Sequence, residues 1–583
     1  MTQERTRRWR ERAALAIVLL IAAVLRLWRL EDNGFGTAYY AAGVRSMMQS
    51  AWLLFYGAFD PAGFISLDKP PVAFWIQTVF AWVLGYSGWT IHLPQALAGI
   101  ASVGLLYRLV RRPFGIPAGL CASLLLAVMP IAVAIDRSNN TDSWLVLFLL
   151  LAATSALRGR GLSLAVAMAL LGIAFNVKML AALVCGPALL AGWLLTSPLD
   201  WRRRLAWMAV SGLTLAVVSL SWAVIFDLTP KDSRPYAGSS QDNSMLELIV
   251  AHNGLERFVR PERPAAVLPY EAHDSIPVGP LRLAHPTLAA QFAWALPLAV
   301  LGAIFGWRRR RASIALWSVW VLTYGIVFSA AGGIFHAYYL SALGPPLASL
   351  AGIGCFELWR RGSTHLAAGL ALTALWQGYI AGASLGWTSA WLGFPVAALM
   401  VSAAILWRTK RPPATIGGIA LLALPTLWAL ATILAPGNLT LPSASLPRWL
   451  GIDDGRGPLL SRTYKALTDD PKLLAFLSEQ RGDRRFLLAA PNALLAAPMI
   501  IRTGQPVMAF GGFFGNDPVM TVEAFAKRAE QGEVRFVVLG SNRRMRDFER
   551  WVRANGKPVD PDLWRSLLIE PRRSIALYDL APR

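Results

Sequence analysis

The chain has 583 residues, of which 55% are hydrophobic and only 15% charged, with 24 Trp and a formal net charge of +22. Soluble domains carry about 25% charged residues, so this balance excludes an ordinary water-soluble enzyme, and disordered, collagen-like and disulfide-rich chains with it. A basic excess of this size raises nucleic acid as a partner, but that reading requires a basic face on a soluble domain, so the placement of the charges decides it.

Thirteen apolar windows, each long enough to approach the roughly 30 Å of a bilayer core, run through the first 434 residues. They fall near 13–30, 92–108, 115–134, 143–157, 162–176, 179–197, 205–226, 289–306, 313–331, 337–358, 365–386, 389–407 and 414–434. Arg5, Arg7, Arg8, Arg10 and Arg12 precede the first window. Further basic clusters stand at Arg108/Arg111/Arg112, Arg158/Arg160, Arg202–Arg204, Arg308–Arg311, Arg360/Arg361 and Arg408/Lys410/Arg411. These 22 basic residues all lie on one side if the N-terminus is cytoplasmic, which is where short basic loops stay. The sequence therefore predicts an α-helical polytopic membrane protein of about thirteen transmembrane helices in the plasma (cell inner) membrane. The positive charge reads as a topology signal, with no nucleic-acid partner.

The first window follows a basic start, as a signal peptide would. It is followed by Arg26, Trp28 and Arg29 with no small-residue cleavage site, which predicts an uncleaved span. Cys121, Cys185 and Cys355 all fall inside predicted spans and suggest neither a disulfide framework nor a zinc cluster.

This topology places three longer segments outside: 31–91, 227–288 and 435–583. The last is the size of an independent domain. It opens on a Pro/Ser-rich linker, Pro442 to Pro447. Helical stretches at Pro471–Gln480 and Thr521–Gln531 then alternate with strand-like Phe486–Ala490 and Val534–Leu539, as expected of a small extracytoplasmic α/β domain. Gly511, Gly512 and Gly515 lie in it without phosphate-loop or dinucleotide spacing. Residues 1–434 are expected to form the transmembrane catalytic domain.

The segment 31–91 concentrates carboxylates and aromatic residues where an extended substrate could meet lipid, and its aromatic content predicts interfacial helices. In Asp68-Lys69-Pro70-Pro71 a carboxylate adjoins an ammonium ahead of two helix-breaking prolines. Two readings stand side by side: a general base beside a phosphate-binding cation, or a helix N-cap. Taken alone, the stretch Asp136-Arg137-Ser138-Asn139-Asn140-Thr141-Asp142 reads as a solvated turn capped by Asp142, and Lys178 as a cation snorkelling to water. Three short outer features each supply a charge at the same membrane level, however, and that favours function. Gly332-Gly333-Ile334-Phe335-His336-Ala337-Tyr338-Tyr339 precedes Pro345-Pro346, where a broken span could line a polar cavity. His252, His273 and His285 read as loop residues. No HExxH or comparable metal spacing occurs, so no metal ligands and no cofactor are assigned, and a divalent metal is left open.

These pieces, in this order, resemble the GT-C superfamily of membrane glycosyltransferases. The nearest likeness is the bacterial mannosyltransferase-like branch related to protein O-mannosyltransferases and lipid A aminoarabinose transferases. The likeness rests on Arg26-Leu27-Trp28-Arg29-Leu30, Tyr39-Tyr40-Ala41-Ala42, Asp60-Pro61, Asp68-Lys69-Pro70-Pro71, Arg137 with Asn139-Asn140 and Asp142, Phe175-Asn176-Val177-Lys178, Asn253-Gly254-Leu255, and His336 with Tyr338-Tyr339. It implies an inverting transfer of one sugar from a polyprenyl-phosphate donor to a glycan, lipid or protein acceptor outside the cytoplasmic membrane. By the same resemblance Lys69 contacts the donor phosphate and Asp68 occupies the acidic position before it. Asp142 matches an active-site carboxylate, and Arg137, Lys178, His336 and Tyr339 are phosphate or cavity contacts. Many relatives carry an Asp-Glu pair where this chain has Gly36-Thr37-Ala38, which leaves the base to be chosen among Asp68, Asp32 and Asp60. Asp68 is favoured by its neighbour Lys69. The alternatives are a flippase for a lipid-linked sugar, which would show inverted repeats and midplane charges not visible here, and a catalytically silent scaffold.

Overall fold

The computed structural model describes residues 2–258, 276–408, 413–437, 439–451, 470–539, 545–566 and 576–581. His273, Lys410 and Arg411 lie outside the described residues. All thirteen apolar windows are helical. Among the described residues, eight helices are individually long and apolar enough to cross a membrane: Glu4–Asn33, Gly88–Phe114, Gly161–Lys178, Trp201–Leu228, Arg311–Ala330, Ala337–Arg361, Ser363–Leu385 and Ile416–Leu434. Two more windows are helix pairs bent by 60° and 61°, Ile116–Ala127 with Pro130–Asp136 and Pro286–Phe292 with Leu296–Gly306. In both pairs the second helix begins on a proline at its first or second position, where the missing N–H costs nothing. The remaining three windows are the shorter helices Asp142–Ala156, Leu180–Thr196 and Ala390–Ile405. The protein is a multi-pass membrane protein.

The chain divides into two compact units, both discontinuous in sequence. The first comprises Met1–Asn33, His92–Leu220 and Glu256–Gly457. It is held by close helix contacts at small residues. A Cβ on Gly302 would collide with the Leu350 carbonyl, and one on Gly354 with the Leu298 carbonyl, so Leu296–Gly306 and Gly344–Arg361 meet backbone to backbone. Gly352 sits equally tightly on Ala118 and Ala122. Polar pairs at helix ends add to this. Glu357 accepts from Arg309 and Arg361, each at 3.2 Å, and Glu11 accepts from the Tyr107 hydroxyl at 2.6 Å.

The second unit comprises Gly34–Ile91, Ser221–Leu255 and Pro458–Arg583. Its centre is a five-stranded sheet of β1 (Leu488–Ala490), β2 (Val507–Ala509), β3 (Phe536–Leu539), β4 (Lys557–Pro558) and β5 (Ala576–Asp579), in the order β2-β1-β3-β5-β4. The strand β1 runs parallel to β2 and β3, whereas β5 is antiparallel to β3 and β4. Every residue of β1, β2 and β3 is buried, as parallel strands covered on both faces require. The two faces alternate by residue. Leu488, Ala490, Val507, Ala509, Phe536 and Val538 join a core with Tyr39, Tyr40, Ala41, Ala42, Val44 and Met47 of the helix Ala38–Met47 and with the helix Ala493–Thr503. Ala489, Met508 and Val537 face Phe525 and Val552 on the other side. Side chains cap the helices of the C-terminal segment as their sequences require: Asp470, Asn492 and Thr521 accept main-chain N–H groups at the starts of Pro471–Gln480, Ala493–Thr503 and Val522–Glu530. The segments 34–91 and 221–255 also pair directly, with Ile65 bridged to Tyr236.

Candidate functional site

In the second unit Lys69 Nζ lies 2.5 Å from Asp68 Oδ2 and 3.3 Å from the Asp68 carbonyl. Both side chains are only 11% exposed, which gives the pair more strength than an ion pair in water. The capping alternative is not realised. The helix that follows, Val72–Leu84, has Pro71 at its N-cap position and no side-chain cap. The prolines instead turn the chain sharply, leaving the carboxylate and ammonium on an irregular stretch between Leu67 and Val72. Tyr39, fully buried, receives the Asp68 main-chain N–H and donates to the Ser66 carbonyl at 3.3 Å. Burial and the neighbouring carboxylates hold its phenol well above the usual range.

Asp60, one of the three base candidates, belongs to the same unit but is otherwise engaged. Its carboxylate accepts the main-chain N–H groups of Ala62, Phe64 and Ile65 at 2.9, 2.9 and 3.2 Å, and it is completely buried. It pins the turn Phe59–Phe64. Burial raises its carboxyl to about 6, and the three donors act against that rise. Asp32, in the first unit, is a half-exposed partner of Arg29 at 2.5 Å, a local pair of the kind found on solvated helix ends.

The first unit brings four of the expected residues together. Lys178 ends the helix Gly161–Lys178 and forms an ion pair with Asp142 Oδ1; the two side chains are 10% and 1% exposed. Asp142 is the first residue of Asp142–Ala156, after Thr141 at the N-cap position, so it faces a helix N-terminus as well as an ammonium. Lys178 Nζ also lies over two aromatic rings, 4.7 Å from the centroid of Tyr338 and 4.5 Å from that of Tyr339. His336 stacks on Tyr338 at 5.4 Å and meets Tyr339 edge-on at the same distance. The expected break at Pro345-Pro346 is a 3₁₀ turn, Ala337–Leu343, running directly into Gly344–Arg361 with the prolines in its first turn. Lys178 is therefore an enclosed cation, and snorkelling does not describe it. The next residue, Met179, has φ +48° and ψ −135°, a backbone conformation that costs a non-glycine residue of order 1–3 kcal/mol and ends the helix at the lysine.

Arg137 is placed differently from expectation. Its guanidinium donates to the carbonyls of Leu25, Arg26, Trp28 and Arg29 at 3.4, 3.1, 2.7 and 3.0 Å, and the residue is 2% exposed. These are carbonyls at and just beyond the C-terminus of Thr2–Leu27, so the Arg137 guanidinium caps that helix end. Asp136 makes a buried ion pair with Arg26 at 2.8 Å.

Sequence reasoning missed two participants. Arg257 Nη1 donates to the Tyr339 hydroxyl at 2.8 Å, adding a second cation to the Lys178 cluster. Asp517, from the C-terminal segment, lies close enough to Asp68 and Tyr39 to interact electrostatically with both. The run Gly511-Gly512-Phe513-Phe514-Gly515-Asn516-Asp517-Pro518 carried the signal, since a glycine-rich turn ending in a carboxylate suits a loop serving a site. Among the described residues, no group of three or more His, Cys, Asp or Glu side chains is arranged to hold a metal ion.

The described chain thus comprises a polytopic helical unit holding the Asp142–Lys178 pair and a second unit holding the Asp68–Lys69 pair and the small α/β sheet. Residues 68–222 match the family described as dolichyl-phosphate-mannose-protein mannosyltransferase, and residues 473–555 match "Putative mannosyltransferase YkcB-like, C-terminal". Two proteins of Bacillus subtilis are similar along nearly the whole length. "Putative mannosyltransferase YycA" is 33% identical, covering 94% of this chain and 94% of its own. "Putative mannosyltransferase YkcB" is 32% identical over 95% of this chain and 92% of its own. The chain belongs to this YycA/YkcB mannosyltransferase family. Its fold is that of ArnT from Cupriavidus metallidurans, whose undecaprenyl-phosphate-bound crystal structure superposes with a TM-score of 0.58 at 15% identity, covering 97% of this chain and 98% of ArnT.

Proposed function

We propose that this glycosyltransferase moves one sugar, with inversion, from a polyprenyl-phosphate donor to an acceptor hydroxyl at the outer face of the cytoplasmic membrane. The observation that carries the proposal is the enclosed Asp68–Lys69 pair, held at 2.5 Å ahead of Pro70 and Pro71. In the resting protein Lys69 neutralises Asp68. A donor phosphate reaching Nζ competes for that charge and releases the carboxylate, so donor binding itself would produce the base. Asp68 then takes the acceptor hydroxyl proton, and the oxygen attacks the anomeric carbon opposite the phosphate. The anomeric C–O bond breaks with its electrons passing to the lipid phosphate, whose growing charge Lys69 stabilises.

The lipid phosphate seen in ArnT supports the donor class, and the mannosyltransferase-like relatives support a hexose. Lys178 and Arg257, gathered on Tyr339, form a second cationic cluster suited to an anionic group, with Asp142 setting the charge on Lys178. The cytoplasmic N-terminus and the orientation rest on the 22 basic residues that fall on one side of the predicted topology.

The test is transfer of a radiolabelled sugar from polyprenyl phosphate by purified full-length protein. Asp68→Asn and Lys69→Ala should each lower turnover by about 10²-fold or more in protein that still folds and runs as a monodisperse species. Near-normal turnover in both variants overturns the assignment. Donor movement across proteoliposomes without consumption would make the protein a flippase instead.

A further inference from the structure

Within the second unit, three stretches far apart in sequence meet around Tyr39. The C-terminal segment contributes the turn Gly511–Asp517, in which Asp517 Oδ2 accepts the N–H of Phe513 at 3.3 Å and Gly512 takes a left-handed φ of +71°. A Cβ on Gly512 would strike the Asp517 carboxylate, so the turn closes around it. The same oxygen accepts the N–H of Ser239 at 2.9 Å, and Ser239 itself has φ +64°. The preceding residue, Gly238, donates its N–H to Ser66 Oγ at 3.1 Å, and a Cβ there would collide with the Ser66 carbonyl. That carbonyl receives the Tyr39 hydroxyl, which in turn takes the Asp68 N–H, while the Phe513 ring lies 4.6 Å from the Tyr39 ring. A continuous path of main-chain and side-chain hydrogen bonds thus runs from Asp517 through residues 238–239, Ser66 and Tyr39 to Asp68.

Two features make this more than packing. The strained backbone at Ser239 is of the kind that persists only where its surroundings fix it, and the Asp517 carboxylate is what fixes it. Asp517 is also a half-buried carboxylate near a second carboxylate, an arrangement that costs stability and is common at functional sites. The charged and titratable groups around Asp517 are Asp68, Tyr39, Tyr236 and His252, and around Asp68 they are Lys69, Tyr39 and Asp517. Burial raises the Asp517 carboxyl, the Asp68 charge raises it further, and His252 opposes the rise.

We propose that Asp517 is a positioning residue of the transfer reaction, joining the C-terminal Gly511–Asp517 turn and the 238–239 backbone to Tyr39 and Asp68. The C-terminal segment is thereby part of the catalytic apparatus. The proposal rests on the reading of Asp68 as base, so both residues are tested together in the full-length protein. Asp517→Asn keeps the shape and a carbonyl acceptor for the Ser239 N–H but removes the charge beside Asp68. The acid limb of its kcat/KM profile should move to lower pH by roughly half a unit to one unit, because Asp68 then ionises more easily. Asp517→Ala, which also releases Ser239, should in addition lower kcat about tenfold or more.

If Asp68→Asn is inactive while the Asp517→Asn profile superimposes on that of the wild type, the Asp517 proposal is overturned and the base assignment stands. If Asp68→Asn is active, both are overturned. A purely structural Asp517 would lower the melting temperature in both Asp517 variants and leave the position of the acid limb unmoved, which also overturns the proposal.

Discussion

Asp60 and Arg137 show how burial fixes what a charged side chain can do. For Asp60 the consequence is a pH dependence of stability. Its carboxyl is raised from 3.8 to about 6, so the folded state holds the proton more tightly than the unfolded chain does. The stability this contributes is complete below about pH 3.8 and is lost as the pH rises through about 6. Measured against Asp60→Asn, the wild type should lose up to roughly 3 kcal/mol of its advantage between pH 4 and pH 8. An unchanged gap in denaturation midpoints across that range would contradict the assignment. For Arg137, with four main-chain carbonyls as partners, Arg137→Lys should cost about 3 kcal/mol or more in thermal stability and leave the donor KM alone. A raised donor KM at unchanged melting temperature would place Arg137 at the phosphate. Both residues were conspicuous in the sequence, and so were Asp68, Lys69, Asp142 and Lys178. What the sequence could not show was which carboxylates had main-chain partners, because a turn such as Asp60-Pro61-Ala62-Gly63 and a reactive carboxylate use the same residue type. Asp517 and Arg257 stayed hidden for the complementary reason, since their partners lie in segments far away along the chain.

At the scale of elements, hydropathy located the helices well. It missed where they bend, since the 60° break at Val128-Met129 depends on local backbone and on the proline that starts the next helix. In the C-terminal segment the predicted Phe486–Ala490 and Val534–Leu539 contain β1 and β3, whereas β2, β4 and β5 fall outside the stretches read as strand-like. The glycine contacts between Leu296–Gly306 and Gly344–Arg361 were likewise unreadable, because a glycine in an apolar window does not declare its neighbour. They give a sharp test. Gly354→Leu, which would drive a side chain into the Leu298 carbonyl, should destabilise the detergent-solubilised protein by about 3 kcal/mol or more. Gly212→Leu, where an added Cβ meets nothing within 4 Å, should be nearly neutral. Equal melting temperatures for the two variants would rule out the close approach.

The whole molecule is two compact units, and the second is assembled from three separate stretches of chain. Sequence reasoning found an α/β segment after residue 434. It could not show that one face of its sheet shares a core with the helix Ala38–Met47, because that core is formed between residues more than 400 positions apart. A chain ending at Gly457 should therefore leave Tyr39, Tyr40, Val44 and Met47 without their partners, and should run as aggregate on size-exclusion chromatography. A monodisperse truncated protein would argue that the shared core is dispensable. The same arrangement sets a timetable for biosynthesis. Ribosomes add about 5–20 residues per second, so the helix Ala38–Met47 emerges between roughly twenty and ninety seconds before Ala493–Thr503, the element that covers it. During that interval an apolar surface stays uncovered, and a holding chaperone or the bilayer surface itself must shelter it until the last quarter of the protein arrives.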